Sequence, residues 1–148
     1  MRTIFASLCR CLLVAAALAL ATLPAAAAND DVKPIHIGFS MSLTGGVAVN
    51  GKQLLLALEI WRDDVNAKGG LLGRPVEFIY YDDQSSPATV PGIYTKLIDV
   101  DKVDLTIGPY ATNMVAPAIL TLMEHRRLTI AFFGVAANSE FHYSNTSR

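Results

Sequence analysis

Thiols are scarce in this chain, and their placement excludes whole classes of chemistry. The 148 residues hold two cysteines, Cys9 and Cys11, both ahead of Leu23. Arg2 and Arg10 precede an apolar run from Cys11 to Leu23, and Pro24 leads into Ala25–Ala28. A basic start, an apolar middle and small residues at the end predict a secretory signal peptide over 1–28, cut near Ala28. The run is shorter than the roughly 20 residues a membrane span requires. Cys9 and Cys11 precede it, which argues against a lipid anchor. Cleavage removes both thiols, so a cysteine nucleophile, a disulfide framework and a thiolate metal site are excluded from residues 29–148.

Charge of one sign is also scarce. Removing Arg2 and Arg10 leaves 10 basic residues against 13 acidic ones, a net charge of −3. That balance carries no electrostatic footprint for nucleic acid or anionic lipid. No G-x-G-x-x-G fingerprint is present, which disfavours a dinucleotide, and Ser40, Ser42 and Ser139 lack a G-x-S-x-G setting. His36, His125 and His142 are scattered, and no third carboxylate or histidine accompanies Asp82 and Asp83 at metal-ligand spacing. The expectation is therefore a chain that is not an enzyme and holds no metal or cofactor.

What the sequence does have is alternation. Ile35–Met41 is a short apolar run that predicts a buried strand. The loop Ser42-Leu43-Thr44-Gly45-Gly46 leads to a helix over about 50–67, with Leu54, Leu58, Trp61 and Val65 at helical spacing. Gly69 and Gly70 then predict a left-handed helix end, and Gly73-Arg74-Pro75 a turn. Val76–Tyr81 predicts a second strand, closed by Asp82 and Asp83, for which a capping or turn-bonding role is favoured over metal or acid–base work. Pro87 predicts the start of a second helix, with Val90, Ile93, Tyr94, Leu97 and Ile98 forming its apolar stripe. Further predictions are a strand over 103–107, a helix over 113–127 and a strand over 128–133. The fold class expected is α/β, an open parallel doubly wound sheet of four strands with right-handed crossovers. The remainder, 138–148, is polar, and a sheet halted at its fourth strand leaves an unpaired edge. The expectation is a truncated product.

Ligand sites in such sheets lie beyond the strand carboxyl ends, where the strand order reverses. Three loops are candidates. Ser42, Thr44, Gly45 and Gly46 form either an anion-binding turn or a simple flexible one. In Gly108–Asn113, Thr112 or Asn113 is expected to cap the next helix, whose dipole favours an anion, while Tyr110 supplies a flat wall beside Ala111. Gly134, Ala136 and Ala137 lie in a small-residue loop that lets backbone approach a ligand.

Taken in order, the signal peptide, Ile37-Gly38 with Ser42-Leu43-Thr44-Gly45, Asn66-Ala67-Lys68-Gly69-Gly70 with Gly73, and Tyr81-Asp82-Asp83 resemble a known family. The chain resembles the leucine/isoleucine/valine-binding type I periplasmic solute receptors of ABC transporters over essentially its whole mature length. The resemblance implies two α/β lobes closing over a small ligand, with this chain the first part of lobe one. It implies a periplasmic, monomeric receptor for an amino acid or other small carboxylate, which docks on an inner-membrane ABC permease. The sensor domain of an exported signalling receptor is the alternative.

By position in the motifs, Thr112 corresponds to the first-lobe hydroxyl that meets the ligand carboxylate. Ala136 and Ala137 fall where a backbone carbonyl and a threonine hydroxyl often receive the ligand ammonium. Asn50 stands where many members place an aromatic. Those two departures bear on amino-acid specificity, and Phe132-Phe133-Gly134 is similar to members that take aromatic or other organic acids. Members of the family continue well beyond twice this length.

Overall fold

The chain passes from its first helix to its second strand through local backbone chemistry that fixes the βαβ hand. In the computed structural model, which describes residues 32–131 and 146–147, helix α1 covers Ala48–Ala67. Its end is closed by bonds from Gly69 N–H to Asn66 O and from Gly70 N–H to Val65 O. Gly69 adopts φ +98°, the left-handed conformation that this pairing requires. Leu71 and Arg74 then exchange both backbone bonds around Leu72 and Gly73, a tight turn that leaves Leu72 in solvent. Asn66 clamps helix to strand, donating from Nδ2 to Val76 O and accepting the Val76 N–H at 2.7 Å.

Strand β1 (Ile35–Met41) pairs in parallel with β2 (Val76–Asp82) along its whole length, from Ile35 opposite Val76 to Met41 opposite Asp82. Helix α2 (Val90–Asp99) leads to β3 (Leu105–Ile107), and helix α3 (Thr112–Glu124) leads to β4 (Thr129–Ile130). A further two-residue strand, β5 (Thr146–Ser147), pairs in parallel with β4, so the four-strand expectation is corrected to five. The sheet order is β2-β1-β3-β4-β5 and every pairing is parallel.

Right-handed crossovers dictate what covers each face. The step from β1 to β2 runs one way across the sheet, while the steps to β3 and β4 run the other way. Helix α1 therefore lies on one face and α2 and α3 on the opposite one. Side-chain parity agrees. Ile35, Ile37, Phe39 and Met41 face α1, where Phe39 stacks on Tyr80 at 5.4 Å and meets Phe78 edge-on at 5.3 Å. On the other face α2 and α3 interlock through Val90, Tyr94, Leu97, Met114, Ala118 and Leu122, all essentially without solvent contact.

Several expected boundaries move for identifiable reasons. Helix α2 starts at Val90 rather than Pro87, because Thr89 Oγ1 binds the carbonyls of Asp83 and Ser86 and holds the preceding turn. Pairing in β3 begins at Leu105, since the Val103 N–H is spent on Leu97 O at the end of α2. Helix α3 stops at Glu124, where Arg126 turns left-handed at φ +52° and Arg127 N–H reaches back to Leu122 O. No helix among the described residues is long and apolar enough to cross a membrane. The expected signal peptide at 1–28 and the loop carrying Gly134, Ala136 and Ala137 lie outside the described residues.

Tyr94 ties the second face to the carboxyl edge of the sheet. Its ring is fully buried and its hydroxyl donates to Ile107 O, the last residue of β3. Burial pushes that hydroxyl well above the ordinary phenol range, so it is a donor at any physiological pH. Tyr94→Phe removes the hydroxyl donor from the part-buried Ile107 carbonyl, and a loss of about 1 kcal/mol is expected. Urea melts of the two proteins check this; equal midpoints would remove the tether from the account.

Candidate functional site

The strand order reverses between β1 and β3, so the crevice of this fold opens between their carboxyl ends. Two loops meet there, 42–47 after β1 and 108–111 after β3. Leu43 and Tyr110 pack against the same cluster beneath α1, while Ala111 packs against the α2–α3 cluster. The second loop thus crosses from one face of the sheet to the other at the crevice. Gly108 N–H bonds Ile130 O, which brings the end of β4 against the same spot.

The loop after β1 is shaped by carboxylates from β2. Asp82 accepts the backbone N–H groups of Leu43, Thr44 and Gln84 on Oδ1 at 2.8–3.2 Å, and the Thr44 hydroxyl on Oδ2 at 2.6 Å. Partial burial alone would raise the Asp82 pKa, but the bonds from the Thr44 hydroxyl and from the Gln84, Leu43 and Thr44 amides outweigh it and hold the carboxyl below its usual value. Asp83 is fully buried and accepts the Ser42 hydroxyl at 2.6 Å, the Ser40 hydroxyl at 3.1 Å and the Ser85 N–H at 3.0 Å. Ser85 Oγ then donates to Thr44 O and accepts the Val47 N–H. The register explains this convergence, because Met41 opposite Asp82 puts the two aspartates beside residues 42–44.

Two glycines make the approach sterically possible. Gly45 has φ +84°, and a Cβ there would lie 2.5 Å from Gln84 O. At Gly51, within the first turn of α1, a Cβ would lie 2.0 Å from Ser42 O. The helix start and the strand end touch backbone to backbone.

This geometry redistributes the expected roles. The loop's N–H groups do cradle an anion, but the anion is the protein's own Asp82. Ser42 is fully buried with its hydroxyl committed to Asp83, so it shapes the loop from beneath. Thr44 is exposed, with its hydroxyl donating a hydrogen bond to Asp82 Oδ2. Asn50 is exposed in the first turn of α1. Tyr110, Ala111 and Thr112 are brought together, half-buried, at the mouth of the crevice.

The expected cap of α3 is corrected. Neither Thr112 nor Asn113 is its N-cap; Ala111 is, with φ +73° and ψ +141° and no side chain able to cap. Its carbonyl receives the N–H groups of Met114 and Val115. An alanine held in a region suited to glycine is strained, and such strain concentrates at ligand clamps. Sequence reading missed Ala111's conformation and Ser85's bridging role. Among the described residues no group of three His, Cys, Asp or Glu side chains is placed to hold a metal.

Residues 34–147 match the family described as periplasmic binding protein. The chain belongs to that family. Curated proteins named as leucine/isoleucine/valine-binding are among those it is similar to. The Leu/Ile/Val-binding protein homolog 2 of Brucella abortus is 27% identical over 130 residues, 88% of this chain and 32% of that protein. The Leu/Ile/Val-binding protein of Escherichia coli is 31% identical over 89 residues, 60% of this chain and 23% of that one.

Solved structures share the fold. The branched-chain amino acid transporter substrate binding protein LivJ of Streptococcus pneumoniae, in complex with isoleucine, superposes with a TM-score of 0.72 at 24% identity, over 77% of this chain and 33% of that one. An ABC transporter solute binding protein of Rhodopseudomonas palustris, in complex with 3,4-dihydroxy benzoic acid, gives 0.69 at 22% identity over 78% and 31%. The chain thus spans about a third or less of the length of the relatives it matches.

Two outcomes check the geometry. Because the folded-state pKa of Asp82 is depressed, its stabilisation is full above about pH 4 and is lost as pH falls through the folded value. Asp82→Asn is expected to lower stability at neutral pH, with the gap to the parent closing in acid; a gap constant with pH would refute the linkage. Ala111→Gly relieves strain at the cost of chain entropy, and a net gain of about 1 kcal/mol is expected. A lowered thermal midpoint would show that Ala111 is not strained.

Proposed function

We propose that this chain is the first part of lobe one of an exported solute-binding receptor, one that delivers a small carboxylate to an ABC permease. The ligand is a branched-chain amino acid or a related organic or aromatic acid, and the protein is not an enzyme. The observation that carries this reading is the start of α3 at the crevice, where a strained alanine stands at the N-cap with no capping side chain. Asp82 already occupies the N–H groups of the first loop, so a second carboxylate is repelled there and directed to the positive end of α3.

The roles follow from position. Thr112 presents its hydroxyl to the ligand carboxylate, Tyr110 offers a flat wall and Ala111 sets the approach of the backbone. Thr44 borders the entrance, and Gly134, Ala136 and Ala137, which lie outside the described residues, keep the ligand-facing role that the family resemblance implies. Ser42 serves by holding Asp83. The ligands held in the two solved structures, isoleucine in one case and a dihydroxybenzoate in the other, share a carboxylate on a largely apolar body. A lobe that grips the carboxylate alone leaves most of such a ligand in water, so a second lobe is required for tight binding.

Calorimetry of the 148-residue chain with leucine, isoleucine, valine and 4-hydroxybenzoate is expected to show affinities weaker than about 1 µM. Submicromolar binding would overturn the two-lobe requirement. In a chimera that grafts residues 34–131 onto a two-lobed relative, Thr112→Ala is expected to weaken binding about 10- to 100-fold, the effect of losing a hydrogen bond to a charged group. An unchanged affinity would dismiss Thr112 as a ligand contact.

A further inference from the structure

One histidine joins the last residue of α2 to the end of α3. His125 is the C-cap of α3, and its ring faces an acceptor on each nitrogen. Nδ1 lies 2.8 Å from Thr121 O, and Nε2 lies 3.2 Å from Oδ2 of Asp99, which closes α2. A carbonyl and a carboxylate only accept hydrogen bonds, while a neutral imidazole carries a single N–H. The neutral ring therefore leaves one of these contacts as acceptor against acceptor. The imidazolium donates to both.

The surrounding charges favour the same form. Asp99 stands at the carboxyl end of α2 and the ring at the carboxyl end of α3, where both helix dipoles are negative. The bond to Thr121 O raises the pKa of His125 most; the bond to Asp99 and the fields of Asp99 and Glu124 add to it, and together they outweigh partial burial. Of the neighbouring cations, Lys96 in the last turn of α2 sits 3.8 Å over the Tyr81 ring, whose hydroxyl bonds Asp101. Arg127 donates to Val103 O, and Arg126 is exposed in a left-handed turn.

We propose that His125 and Asp99 form a protonation-controlled clasp, which fastens the ends of α2 and α3 as pH falls through the histidine range. Elsewhere the two helices meet through Val90, Tyr94, Leu97, Ala118 and Leu122, none of which titrates in that range. The sign follows from the raised folded value. Stabilisation is full below the ordinary histidine value of 6.5 and is lost as pH rises through the folded one. The clasp closes the far end of α3 from Thr112, at the amino edge of the sheet, so it does not rest on any ligand role for the crevice.

Proton NMR of the imidazole resonances of the full 148-residue chain tests this, with the His125 signal assigned by its loss in His125→Gln. That signal is expected to titrate above 6.5, and Asp99→Asn is expected to move it down. In urea melts, Asp99→Asn is expected to lower the folding equilibrium constant about two- to fivefold more at about pH 5.5 than at about pH 8.5, the range for a partly exposed ion pair. The difference is expected to vanish when His125 is already glutamine. Asp99 is exposed, so its variant is expected to fold. A His125 signal that titrates at or below its ordinary value, or one that Asp99→Asn leaves in place, overturns the proposal. A penalty for Asp99→Asn that is equal at the two pH values does so as well.

Discussion

The carboxyl edge of this sheet is organised by two adjacent aspartates that spend their charge on their own protein. Asp82 and Asp83 leave β2 on opposite sides of the chain, as successive strand residues must. One therefore takes the backbone of the neighbouring loop and the other goes inward to Ser40 and Ser42. Neither has a cationic partner among the described residues; each is satisfied by hydroxyl and amide donors instead. A buried carboxylate left without such donors is costly, so the serines, the threonine and the register that presents them are needed together. The full β1–β2 ladder and the clamp of Asn66 on Val76 serve that register, since a slip of one residue would send each aspartate to the wrong face.

That constraint explains why the two crevice loops differ. The first is held by donors and acceptors that are already paired, with Gly45 in the loop allowing close approach to Gln84 and Gly51 in α1 allowing close approach to Ser42. The second carries a strained alanine and starts a helix without a side-chain cap. Rigidity on one side and an uncapped dipole on the other make an asymmetric crevice. A preorganised wall keeps down the ordering cost when a small molecule binds.

Much of the architecture was legible in the residues because the periodic signals and the punctuation agreed. β1 was read to its observed ends, since the apolar run is bounded by Pro34 and by the glycine loop. Gly69 was read correctly as a left-handed helix end. The misplaced boundaries share a cause: local hydrogen bonds that no periodicity displays, such as Thr89 to Asp83 O and Val103 to Leu97 O. β5 carries no apolar pattern; two residues pair because β4 offers an edge. The turn-bonding role favoured for Asp82 and Asp83 is the one they have. Their partners were legible in principle, because a parallel βαβ unit puts the end of β2 next to the loop after β1. The conformation of Ala111 was not legible, since alanine is the residue least expected at φ +73°.

The two faces of the sheet show why burial alone does not mark a functional surface. On the α2–α3 face, Tyr94, Leu97 and Leu122 interlock around Gly38, where a Cβ would lie 2.9 Å from Val103. Nothing further fits there, and that face is finished. On the α1 face a 20-residue helix buries only Gly51 and Leu58, and Leu105 and Ile107 of β3, Ile130 of β4 and Leu128 just before it line an open strip. The same hydrophobic effect that closes the first face leaves the second with unrealised burial, at roughly 25 cal/mol for each Å² still exposed. An apolar side chain in solvent is ordinary; an open apolar strip beside a helix that exposes Val49, Leu56 and Ile60 is not. That pairing, rather than any single exposed residue, is what distinguishes the α1 face from the α2–α3 face among the described residues.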